Sequence, residues 1–151
     1  MMMKWTAAIG LSAVIILLSG CSLLDEANNT LTYATDMTDF LNETQQFATD
    51  VPALLESAAS NPNIVGDVQT QFESMQQDID FIQEIEVPAV AEGIHGKVLD
   101  YSVQLETGIS DALVKLENGV VDPAAIFKNT ELLQTIQELQ DLRMNIEQLG
   151  Q

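Results

Sequence analysis

The chain has 151 residues, with 23 acidic side chains against five basic ones and one histidine, a formal net charge of −18. That length suits one domain, able to bury about two-thirds of its unfolded surface. The charge excludes nucleic acid, whose phosphates require a basic patch, and it excludes attraction to anionic lipid head groups, where each Lys or Arg contributes about 1 kcal/mol and acids reverse the sign.

Taken in chain order, Lys4 and the amino terminus make a weakly basic start, and residues 7–18 form an apolar run. That run is too short to span a hydrocarbon core, which takes roughly 20 residues. It closes on Leu18-Ser19-Gly20-Cys21, the lipobox pattern, in which signal peptidase recognises Leu18, Ser19 and Gly20 and cleaves before a cysteine already carrying diacylglycerol. The expectation is a lipoprotein signal peptide over 1–20, a lipidated tether over 21–25 and a helical bundle domain over 26–151. The competing reading is an uncleaved anchor with an incidental cysteine.

Two acyl chains, each methylene contributing about 0.8 kcal/mol on burial, anchor durably where one is marginal. Cys21 is the only cysteine, so lipidation leaves the mature chain without a disulfide. Cleavage also removes Lys4 and no acid; Lys97, Lys115, Lys128 and Arg143 then face 23 carboxylates, and the charge becomes −19. An extended linker over 22–24 reaches about 10 Å, which keeps the folded part beside the membrane. The acidic excess reads as a solvated surface first and an interaction surface second.

Four stretches show helical periodicity and none sustains alternation. The first stripe is Tyr33, Met37, Phe40, Thr44, Phe47 and Val51, widened by Ala34, Leu41 and Ala48, with Asn28, Asn29 or Thr30 as its cap. Asp50-Val51-Pro52 marks a kink or restart, followed by a short helix over 52–59, because proline breaks helix interiors. Asn61-Pro62 is an N-cap followed by proline at the first helical position. The second stripe follows, Val65, Val68, Phe72, Met75, Ile79 and Ile82, a seam too short for a free-standing coiled coil, with Asp78 on the solvated side.

Val87-Pro88 punctuates the chain again, and Ile94, Val98, Tyr101, Leu105, Ile109, Ala112 and Leu116 lead to a left-handed cap at Asn118-Gly119. Gly93, Gly96 and Gly108 weaken the continuity of this helix. Asp122-Pro123 opens the last segment, carried by Leu132, Ile136, Leu139, Leu142, Ile146 and Leu149, with Asn129-Thr130 splitting off a short first piece. Four connected stripes hide their apolar faces in one core, so the fold is an all-α, mostly antiparallel helical bundle. Val51-Pro52-Ala53 and Val87-Pro88-Ala89 are spaced like a helical repeat, but the diagnostic repeat side chains are missing, and both read as helix-start punctuation.

No constellation carries chemistry. Glu92-Gly93-Ile94-His95 has the Glu-x-x-His spacing of di-iron bundles, which need two such motifs; His95 is the only histidine, and it reads as a capping or surface residue. The acid pairs Asp36 with Asp39, Asp78 with Asp80 and Glu84 with Glu86 supply neither a cleft across a sugar nor a calcium loop. A nucleophilic serine would need a base and an orienting partner. Met37, Met75 and Met144 lie at or beside the stripes and read as core. Tyr33, Tyr101 and the phenylalanines offer at most a small apolar pocket. No catalytic, metal or cofactor residue is expected.

The run Leu18-Ser19-Gly20-Cys21-Ser22-Leu23-Leu24-Asp25-Glu26, continuing through Asn28, Thr30, Leu31 and Tyr33, resembles the start of a family of small uncharacterised lipoproteins from spore-forming Gram-positive bacteria. Pro88-Ala89-Val90-Ala91-Glu92 with Ile94 and His95 is similar too, and the likeness covers the whole chain. The resemblance implies the location and carries no activity. The expectation is a non-enzymatic interaction or structural module, lipid-anchored through Cys21 on the extracytoplasmic face of the cell membrane, with an envelope protein as partner. The alternative is an envelope binding protein for a small apolar or cationic ligand.

Overall fold

The computed structural model describes residues 20–128 and 130–151. Five helices carry the fold: α1 (Gly20–Ser60), α2 (Val65–Glu84), α3 (Glu92–Glu117), α4 (Glu131–Asp141) and α5 (Arg143–Leu149). There is no strand among the described residues, and the protein is an all-α, mostly antiparallel bundle.

Cross-helix contacts define the directions. Phe47 meets Phe72 with ring centroids 5.1 Å apart and planes at 90°, Lys115 Nζ donates to the Ala125 carbonyl at 3.0 Å, and Gly150 lies beside Leu31 and Ala34. Low positions on one helix thus meet high positions on the next, and α4 with α5 returns to close the bundle against α1. One end, the base, gathers Tyr33, His95 and Gly150; the far end holds the α1–α2 turn and Gly119.

The core follows the expected stripes. Val68, Phe72, Met75, Ile79 and Ile82 are buried on α2, and Leu132, Ile136, Leu139, Leu142 and Ile146 on the last segment. Thr44, a polar member of the first stripe, is fully buried; its hydroxyl donates to the Leu41 carbonyl at 2.9 Å and accepts from Gln140 Nε2 at 3.0 Å. That satisfies the hydroxyl as burial requires. Ser102 Oγ on α3 is buried with no hydrogen-bond partner.

The helix ends obey local chemistry. Asn61 caps a 3₁₀ turn (Pro62–Ile64), its side chain accepting from the Asn63 N–H at 3.2 Å, and Asp122 accepts from the Ala124 N–H at 3.0 Å. Gly119 closes α3 at φ 81°, the left-handed conformation that costs glycine least. A π-helical turn (Ala124–Lys128) buries Ile126 and Phe127 ahead of Thr130, the N-cap of α4, so the last segment is split as expected.

Several local expectations are corrected. Pro52 lies inside α1 and begins no new helix, so the resemblance between its setting and that of Val87-Pro88 is not shared helix-start punctuation. Val51, Leu55 and Ala58 continue the buried stripe beyond it. An interior proline costs about 3 kcal/mol; burial of this stripe in the core offsets that, and the Ala48 carbonyl left without its N–H partner belongs to a half-buried residue. At its other end the chain is already helical at Gly20, so residues 28–30 do not cap α1, and Thr30 donates back to the Glu26 carbonyl at 2.9 Å. The stretch expected to be an extended linker is therefore helical. Met144 is 71 % exposed and takes no part in the core, unlike Met37 and Met75.

Candidate functional site

The anchoring motif falls at the edge of the structure. Leu18 and Ser19 lie outside the described residues, while Gly20 and Cys21 open α1. From residue 24 to residue 29 every side chain of α1 is exposed, and Tyr33 is the first to be fully covered.

At the base of the bundle the sequence expectation for His95 fails. It is only 7 % exposed, and its Nδ1 lies 3.2 Å from the hydroxyl of Tyr33, itself 1 % exposed, with the rings edge to face at 5.7 Å. His95 precedes Val98 by three residues and so shares its buried face; the signal was available in the spacing. Burial pushes the Tyr33 phenol up to about 12 and pulls His95 below its ordinary value, because burial disfavours the charged form of each. A neutral imidazole carrying its proton on Nε2 accepts the phenol O–H at Nδ1. The pair joins α1 to α3 without a charge.

Between α1 and α2 runs an open groove of about 230 Å³ lined by Glu43, Gln46, Phe47, Asp50, Gln71, Ser74, Met75 and Asp78. It adjoins a second one flanked by Asp36, Asp39, Phe40 and Phe81. Glu43 is raised by burial, then by the charges of Asp78 and Asp39, and Asp78 is raised by burial. Asp36 and Asp39 thus share one rim, whereas Asp78 is half-buried and not on a fully solvated face. Glu43 and Asp78 each precede a buried seam residue, Thr44 and Ile79. Acids beside the seams of two neighbouring helices were the available sign that they would converge.

On the opposite flank of α1, Gln140 Nε2 donates to the Leu41 carbonyl at 2.7 Å, and Arg143 donates to Gln140 Oε1 at 2.7 Å and to Asn42 Oδ1 at 3.0 Å. This lattice fastens α4 and α5 to α1 and uses one of the few cations structurally. Among the described residues, no group of three or more His, Cys, Asp or Glu is placed to hold a metal ion, and no helix is long and apolar enough to cross a membrane.

Comparison with known proteins adds a family and a relative. The model of a family of unknown function, DUF6376, matches residues 33–149, from the first buried side chain to the last residue of α5. The uncharacterised lipoprotein YybP of Bacillus subtilis (strain 168) is 26 % identical over 132 residues, covering 87 % of this chain and 88 % of that protein. No solved structure matches.

Proposed function

We propose, from the premise that this chain belongs to DUF6376, a family of unknown function, that it is a lipoprotein held on the extracytoplasmic face of the cell membrane by diacylglycerol on Cys21. Its helical domain acts there as a non-enzymatic interaction or structural module toward another envelope protein. The observation that carries this reading is the order Leu18-Ser19-Gly20-Cys21 closing an apolar run directly ahead of a bundle with a filled core. Similarity to a lipoprotein supports the anchor. Large side chains, Tyr33, Phe72 and Phe127 among them, occupy the interior that an apolar ligand would need.

Cys21→Ser removes the thiol that accepts the lipid. Metabolic labelling with a fatty-acid analogue should mark the wild type and leave the variant unlabelled and unprocessed; equal incorporation overturns the anchor. Crosslinking in intact membranes should then capture a reproducible envelope protein. A second reading, a site for a small cationic ligand, is favoured by the convergence of Glu43, Asp50 and Asp78 on one groove. It predicts saturable spermidine binding that Glu43→Gln weakens at least tenfold.

A further inference from the structure

We propose that the start of α1, from Cys21 to Tyr33, is a rigid helical spacer that holds the acidic base of the bundle clear of the bilayer. The proposal rests on the lipidation of Cys21 and concerns what lies between that anchor and the fold.

Residues 24–29 are all exposed, Leu24 by 73 %, yet they are helical and continuous with the segment of α1 that the bundle clamps. A helix extended from an existing one needs no nucleation step, so these residues can hold the conformation without tertiary contacts. At 1.5 Å per residue, the 12 steps from Cys21 to Tyr33 place the first buried side chain about 18 Å from the anchor.

The charge at the base gives that distance a consequence. The α2–α3 connection and neighbouring helix ends present exposed Glu84, Glu86 and Glu92. Of the two nearest cations, Lys97 lies further up α3 and Arg143 is engaged with Gln140, Asn42 and, at 3.9 Å, Glu147. A flexible linker of about 10 Å would hold these carboxylates within roughly one screening length, about 8 Å, of anionic head groups. An upright helix leaves only Asp25 and Glu26 within that range and holds Glu92, three residues below the His95–Tyr33 contact, about 13 Å away, where the repulsion is reduced by screening. A stiff spacer also stands the long axis of the bundle up from the membrane, so its sides remain open to a neighbouring protein.

The test uses the full-length lipidated protein in phosphatidylglycerol-containing vesicles. With Cys21 blocked by lipid, spin labels attach only to the introduced thiols of Asp25→Cys and Glu43→Cys, 18 residues and five helical turns apart. A continuous helix gives a narrow distance distribution centred near about 27 Å. Replacing residues 26–30 with Gly-Ser-Gly-Ser-Gly should broaden it severalfold. A fluorophore on Glu86→Cys should escape quenching by spin-labelled head groups. A wild-type distribution as broad as that of the Gly-Ser variant, or strong quenching at position 86, overturns the spacer. Fatty-acid labelling of the same samples separates the premises: failure of the lipid reading appears as unlabelled protein that stays off the vesicles, whatever the shape of the helix.

Discussion

Glycines of equal standing in the sequence have opposite roles on α3. A Cβ built at Gly96 meets nothing within 4 Å, whereas one at Gly108 lies 2.6 Å from Leu132 Cδ2 and 2.8 Å from its Cγ. Leu132 is 1 % exposed, so it has little room to withdraw. Gly96→Ala should stabilise the protein by up to about 1 kcal/mol through helix propensity alone. Gly108→Ala should destabilise it by about 1 to 3 kcal/mol, overpacking the α3–α4 contact by more than propensity returns. Urea melts of the two variants read the sign directly, and stabilisation by both would mean that α3 and α4 are further apart than described. Periodicity made both glycines visible as weak points; only the approach of α4 distinguishes them.

On α2 the seam assignment makes neighbours behave differently. Ile79 is fully buried, and Ile79→Asp should cost several kcal/mol, comparable with the roughly 5 to 15 kcal/mol that stabilises a small domain. Asp78→Ala was expected from the sequence to be nearly silent. Its half-burial beside Glu43 makes removal favourable, and the melting temperature at pH 7 should rise. Thermal melts of both variants decide the orientation: if Asp78→Ala were the more damaging change, the seam over 65–82 would face the wrong way. At the scale of the element, α1 shows where sequence rules stop. Pro52 is a strong local breaker, but the helix runs through it because Val51, Leu55 and Ala58 occupy the same packed face on either side.

Across the whole molecule, titratable groups shifted by partial or full burial oppose one another in pH. His95 lies below its ordinary value of 6.5, so the folded state binds fewer protons than the unfolded chain; its stabilisation is complete above pH 6.5 and is lost as pH falls. Glu43 and Asp78 lie above their ordinary values of 4.5 and 3.8, so their contribution is complete below those values and is lost as pH rises through the raised ones. His95→Gln should therefore flatten the fall in melting temperature below pH 6.5, and Asp78→Asn should raise stability at pH 7 with little change near pH 3. Scans of each variant from pH 3 to pH 8 check both slopes, and profiles parallel to the wild type would contradict the burial assigned to these groups. The stripes, the Asn61 and Asp122 caps, the Gly119 turn and the bundle class were legible in the sequence because they follow from local propensity and from the period of apolar residues. The lipobox was legible there as an expectation, since it is a linear motif and Leu18 and Ser19 lie outside the described residues. Tertiary structure alone decided the tolerance of Pro52, the choice of Tyr33 as partner of His95, the exposure of Met144 and the pairing of Glu43 with Asp78. Each of these depends on which helix lies opposite and at what height, a relation between distant residues that no local pattern in one chain encodes.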